Sequence, residues 1–294
     1  KRYRESRQVL EGMLDEKSPS PDVLFQMGVV HLAEKKYREA EAAFQRAYQL
    51  NPNNYRGLMG IVETYVAQNR PDEAIGLLRQ EARRAPDKVE LRVAIGNTAV
   101  RTGRYDTAVA EFQQALALVE GQGRRAGDLY LRLGETYRRK GDLNNSITAL
   151  LKARELLPEN PTVAGTLALT LDGAGRKQEA RRAYEHTLKL DASNGVALNN
   201  LAFLIAEHGG DLDQALTYAQ RARQLLPNLP EVADTLGWVY LKKNMYDSAV
   251  DIFADLARKE PNHSTYHFHL GMALSRKGDL AGAQRALQTA LKNN

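Results

Sequence analysis

Cysteine is absent from the 294 residues, which excludes disulfide frameworks, thiolate metal sites and cysteine nucleophiles and leaves the redox compartment open. Long apolar runs are missing as well. The longest, such as residues 201–206, fall far short of the roughly 20 residues that a bilayer-spanning helix needs, so no membrane span is expected. Charge of one sign is scarce, with 41 Lys and Arg against 36 Asp and Glu, a formal +5. That excess is spread along the chain and forms no basic stripe, which argues against nucleic acid as a partner. No Walker phosphate loop, HExxH helix or Gly-x-Ser-x-Gly elbow occurs. What is present is a 43% share of apolar residues, enough to build a core and too many for wholesale disorder.

The apolar residues recur with a period of 34, and a fixed period of that size changes the architecture to expect. Eight units follow, at 21–54, 55–88, 89–126, 127–160, 161–194, 195–229, 230–263 and 264–294. Their eighth position reads Gly28, Val62, Gly96, Gly134, Ala168, Ala202, Gly237 and Gly271, small in all but Val62. A second small position reads Ala40, Ala74, Ala108, Ser146, Ala180, Ala215, Ala249 and Ala283. Small side chains on facing helices let the two axes approach closely, so each unit reads as helix, turn, helix. The turns carry Gly103, Gly141, Gly175, Gly209, Asn244 or Gly278, which tolerate left-handed backbone. Pro52, Pro86, Pro158, Pro227 and Pro261 close five units, because proline cannot continue a helix.

Residues 1–20 read as half a repeat, since Arg2-Tyr3-Arg4-Glu5-Ser6 aligns with Lys36-Tyr37-Arg38-Glu39-Ala40. This second helix would cap the N-terminal end. Both ends are unfinished for a solenoid, which normally carries polar caps, so a fragment of a longer protein is expected and end-to-end self-association is left open. The third interval is lengthened by four residues over the period of 34, and Gly121-Gln122-Gly123-Arg124-Arg125-Ala126-Gly127 reads as a flexible connection. A dinucleotide loop would need a strand before it.

Tyr130, Leu133-Gly134, Tyr137, Ser146, Leu150, Ala153 and Pro158 reproduce the signature of the tetratricopeptide repeat family, which the chain resembles over about nine-tenths of its length. The resemblance implies an all-α fold, an α-solenoid in which antiparallel helix pairs stack into a right-handed superhelix and the first helix of each pair lines a concave groove. It also implies that positions five and nine of the first helix face that groove. Position five carries no lysine in any unit, so the two-carboxylate clamp of chaperone adaptors is not supported.

Three adjacent units then offer Asn199 with Phe203, Asp234 with Trp238, and Phe268 with Met272, with Asn200 and His269 beside them. An amide can donate to and accept from an extended backbone, and the aromatic rings and the adaptable methionine offer apolar surface. This mixture suits a peptide. The bland alternative is that Trp238 and Phe203 pack between repeats. A second cluster, Arg101, Arg132, Arg138 and Arg139 with Arg124 and Arg125 of the long connection, could grip a carboxylate or phosphate, although Asp128 and Glu135 dilute it towards an ordinary solvated face. His263, His267 and His269 do not converge as a metal needs, and His267 and His31 read as core substitutions. No metal or cofactor is expected.

The function these features favour is a non-enzymatic scaffold for protein–protein interaction, holding a partner protein or peptide in its groove. The rival readings are a substrate-recruiting arm of a larger enzyme such as a glycosyltransferase, and a scaffold for an anionic polymer. Proteins of bacterial exopolysaccharide secretion resemble such arrays, as do cytosolic adaptors, so a soluble protein of either the cytoplasm or the bacterial envelope fits.

Overall fold

The structure is a computed structural model and describes residues 2–13 and 18–293. All seventeen elements among them are α-helices. The chain divides between Asp142 and Leu143 into two compact units.

The N-terminal unit holds α1 (Arg2–Gly12), α2 (Pro21–Ala33), α3 (Tyr37–Leu50), α4 (Arg56–Ala67), α5 (Pro71–Arg84), α6 (Val89–Arg101), α7 (Tyr105–Leu118) and α8 (Gly123–Lys140). The C-terminal unit holds α9 (Leu143–Leu156), α10 (Pro161–Gly173), α11 (Lys177–Leu190), α12 (Gly195–His208), α13 (Leu212–Leu225), α14 (Pro230–Lys242), α15 (Tyr246–Lys259), α16 (Ser264–Lys277) and α17 (Leu280–Lys292).

Starts and stops follow local chemistry. Pro21, Pro71, Pro161 and Pro230 open α2, α5, α10 and α14, where the missing N–H would have had no partner in any case. Asn160, Asn194, Asp211 and Asp279 accept from first-turn backbone N–H groups of α10, α12, α13 and α17, satisfying donors that the helix itself cannot. The hairpin turns need one residue in left-handed backbone. Gly103 and Gly175 supply it at φ 74° and 75°, and Asn69 and Asn244 at 57° and 61°.

Side-chain size is matched at the crossings. The Phe44 ring on α3 is 1% exposed and lies where a side-chain carbon on Gly28 of α2, or on Gly60 of α4, would have to be. Phe112 meets Gly96 and Phe253 meets Gly237 in the same way. Val62 departs from the small-residue rule in a repeat whose second helix places Leu78, and no phenylalanine, at the equivalent position; both are fully buried. Exposed ion pairs tie consecutive repeats together, among them Arg104 with Asp72 at 2.9 Å and Lys277 with Asp247 at 2.6 Å. Such pairs contribute roughly 0–1 kcal/mol each, so close packing carries the stability. Gly237→Val, whose Cβ would stand 2.7 Å from Phe253 Cε1, is therefore expected to cost about 1–3 kcal/mol. Gly76→Ala, with nothing within 4 Å of the added carbon in the middle of α5, should gain about 0.5–1 kcal/mol. Thermal denaturation followed by circular dichroism should move in opposite directions for the two.

The long connection differs from its expectation. It is mostly helix: α8 starts at Gly123 and runs 18 residues, leaving only 119–122 outside the helices. Arg124, Arg125 and Ala126 are good helix formers, and four residues come close to one added turn, so the insertion lengthens α8 where a loop was expected.

Candidate functional site

The first helices of the repeats carry both candidate clusters. In the C-terminal unit α12 touches α14, and α14 touches α16, which brings the expected residues onto neighbouring rods. Asp234 accepts a hydrogen bond from or pairs with His269, Oδ1 to Nδ1 at 2.7 Å. The His269 ring lies 4.8 Å from the Trp238 ring, 5.3 Å from Phe253 and 6.0 Å from Phe268, centroid to centroid.

Trp238 is packed rather than presented. It is 8% exposed, and its indole N–H donates to Glu207 Oε2 at 3.0 Å. Lys242 donates to the other oxygen of Glu207 at 2.9 Å and stands 4.9 Å from the Trp238 ring. The apolar surface expected from Trp238 is therefore spent between repeats, since a buried indole packs its faces and finds a partner for its N–H. Phe203 and Phe268 are the aromatics left open, at 39% and 47% exposure, while Met272 is half-buried.

The two asparagines split. Asn200 donates to the Tyr184 hydroxyl on α11 at 2.9 Å, and its carbonyl accepts from Asn199 at 3.1 Å. The Tyr184 hydroxyl in turn faces Asp172 at 3.5 Å; burial and the nearby Asp172 charge push its pKa well above the ordinary phenol value, so it stays a donor. Asn200 is thus consumed inside the protein. Asn199 is not: its Oδ1 is buried and has no hydrogen-bond partner. An unmatched buried acceptor costs free energy, and the polar chain from Asp172 through Tyr184 and Asn200 ends on it.

Of the six arginines, four line one cavity of about 750 Å³ in the N-terminal unit, Arg101 on α6 and Arg125, Arg132 and Arg139 on α8. Arg124 and Arg138 do not line it. Arg101 is held by both oxygens of Glu63, with Nη2 to Oε2 at 2.7 Å, and Arg132 donates to Asn97 Oδ1 at 2.9 Å. The walls also carry Glu90, Asp128 and Glu135, above apolar side chains including Val93, Leu129 and Phe112. His267 does other work than expected. His267 is half-buried and bonds the Pro261 carbonyl at 2.9 Å, so it ties down a turn and does not fill the core. His263 stacks on Tyr266.

Models of the tetratricopeptide repeat match residues 31–92 and 204–270 in one form and residues 93–161 and 166–230 in another. The chain belongs to the tetratricopeptide repeat family. A curated relative, BBSome complex member BBS4 of Bos taurus, is 23% identical over 303 residues, covering 92% of this chain and 57% of that protein. Cellulose synthase operon protein C of Pseudomonas fluorescens is 25% identical over 253 residues, covering 78% of this chain and 19% of that protein. The solved APC/C hetero-tetramer Cut9–Hcn1 aligns with a TM-score of 0.57 at 16% identity, covering 99% of this chain and 56% of that chain. At that identity the structural likeness shows the fold. The chain spans 57% and 60% of the first two curated relatives it matches.

Within this tetratricopeptide array, positions five, six and nine missed Glu207 and Lys242. Both stand four residues after a residue singled out, Phe203 and Trp238, and residues four apart share a helix face. Extending each stripe by one turn would have found them. Tyr184 and Asp172 lie on α11 and α10, and no spacing rule within α12 points to them.

Proposed function

We propose that this tetratricopeptide repeat chain is a non-catalytic scaffold that holds a partner protein through an extended peptide segment laid across α12, α14 and α16. The observation that carries the reading is the open pair Phe203 and Phe268, standing on two first helices that both pack against α14. Exposed aromatics over a rigid support suit an interface, and here the support is the Trp238–His269–Phe253 stack. The ionisable groups nearby are already engaged, Asp234 with His269 and Glu207 with Trp238 and Lys242, so they brace the surface and leave no obvious acid or base to act on a substrate.

The test is selection of peptides from a random phage-displayed library against the whole chain, followed by affinity measurement with purified variants. Phe203→Ala and Phe268→Ala should each weaken the selected peptides roughly five-fold or more, with unchanged circular dichroism because both rings are exposed. Selected peptides that bind the double variant as tightly as the parent chain would remove this face as the site.

A further inference from the structure

A cleft of about 350 Å³ opens on the second helices of the C-terminal unit, between α11 and α13, and shares no residue with the face just described. Its floor is apolar. Leu188 and the Tyr218 ring pack there against Leu198, itself 1% exposed. Its rim carries two cations, Lys189 of α11 and Arg221 of α13. Arg221 donates through Nη2 to the Ala192 carbonyl at 2.8 Å, a neutral acceptor that orients the guanidinium without cancelling its charge. Lys189 makes no ion pair with any described residue. The one carboxylate in the lining, Glu185, is already held by Arg181 Nε at 3.2 Å.

The sister repeats set this cleft apart. In no other successive pair of second helices do both of these positions carry Lys or Arg: Arg83 is followed by Gln114, Arg258 by Thr289, and Lys152 is preceded by Ala117. The equivalent place between α5, α6 and α7 is filled by the chain itself, where the Glu111 carboxylate lies between Arg79 at 3.1 Å and Arg92 at 2.9 Å. Glu185, Leu198 and Tyr218 stand at those positions here, and no carboxylate of the described residues pairs with Lys189 or Arg221. We propose that the cleft binds a small organic carboxylate, its charged end between Lys189 and Arg221 and its apolar body on Leu188 and Tyr218. A carboxylate suits the planar guanidinium, and the ammonium adds a point-charge contact. Exposed ion pairs contribute little by themselves, so the apolar body supplies the larger share by leaving water. A bare oxyanion would leave the floor unused. The volume is that of a small-molecule site, roughly 300–1,000 Å³.

Hexanoate titrated into the isotope-labelled whole chain, followed by amide chemical shifts, tests this. It is expected to produce saturable shifts centred on residues 185–192 and 214–221. Acetate, which lacks the apolar body, and hexanamide, which lacks the charge, should both bind more weakly, as should inorganic phosphate. Lys189→Gln and Arg221→Gln should each weaken hexanoate roughly two- to five-fold, as exposed pairs do. Arg182→Gln, on α11 and outside the cleft, should leave it unchanged. Shifts absent from those residues would overturn the proposal, as would equal or tighter binding of acetate, hexanamide or phosphate, or an equal loss from Arg182→Gln. Tighter binding of a short peptide that ends in leucine with a free carboxylate would also overturn it, and would assign the cleft to the end of a partner chain.

Discussion

Trp238→Ala is expected to lower the stability of the C-terminal unit by about 3–5 kcal/mol, the cost of truncating a large buried aromatic. The ring is 8% exposed and 4.8 Å from His269, and its N–H is matched by Glu207. Truncation opens a void between α12 and α16, removes one face of the His269 stack and leaves a carboxylate oxygen of Glu207 with one donor fewer. Trp238→Phe separates these effects, because it keeps most of the packing and forfeits the hydrogen bond. Its cost should be the smaller, about 1–3 kcal/mol. Denaturant titration followed by circular dichroism measures both. In the parent chain the single tryptophan reports the unfolding of its own unit by fluorescence, a useful separation since repeat arrays need not unfold as one cooperative block. Phe203→Ala, an exposed ring, should move the midpoint little. A Trp238→Ala chain as stable as the parent would mean that the ring is not held as described.

The contrast between Trp238 and Phe203 shows what the sequence could carry. Both occupy position nine of a first helix, and periodicity assigns them to the same face. One is buried and one open because of what the neighbouring repeat sets beside each: His269 of α16 lies over Trp238, while Phe203 keeps 39% of its surface. That depends on long-range register between repeats, which a pattern of small residues does not encode. The repeat pattern itself was legible for a stronger reason. A glycine opposite a phenylalanine, as at Gly96 with Phe112, is a steric requirement, and it recurs at Gly28 with Phe44 and at Gly237 with Phe253. The insertion at 121–127 was visible as four extra residues, but a count cannot tell a loop from one more turn of about 3.6 residues.

Glu111 left a fainter signal, and its replacement by alanine is the second large effect expected. It sits on α7 among Ala108, Phe112 and Ala115, all buried, a charged residue on the apolar side of a helix. Its side chain is 4% exposed. Two arginines from different helices reach it, Arg79 of α5 through Nε at 3.1 Å and Arg92 of α6 through Nη1 at 2.9 Å. A buried carboxylate must be paired and hydrogen-bonded to be tolerated at all, and here one charge holds three helices. Removing it by Glu111→Ala strands Arg92, 23% exposed, without a counter-charge, while Arg79, 46% exposed, can turn to water. Breaking such a pair from one side costs about 3–5 kcal/mol. Glu111→Gln fills the same space and keeps one acceptor oxygen, although its amide N–H then faces the other guanidinium, and should cost less than alanine; Glu111→Leu should also cost less because it fills the space that alanine leaves empty. Thermal and denaturant unfolding of the three variants, followed by circular dichroism, gives the ranking. Alanine costing under about 1 kcal/mol would show that both arginines escape to solvent, and that the contacts among α5, α6 and α7 stand on apolar packing alone.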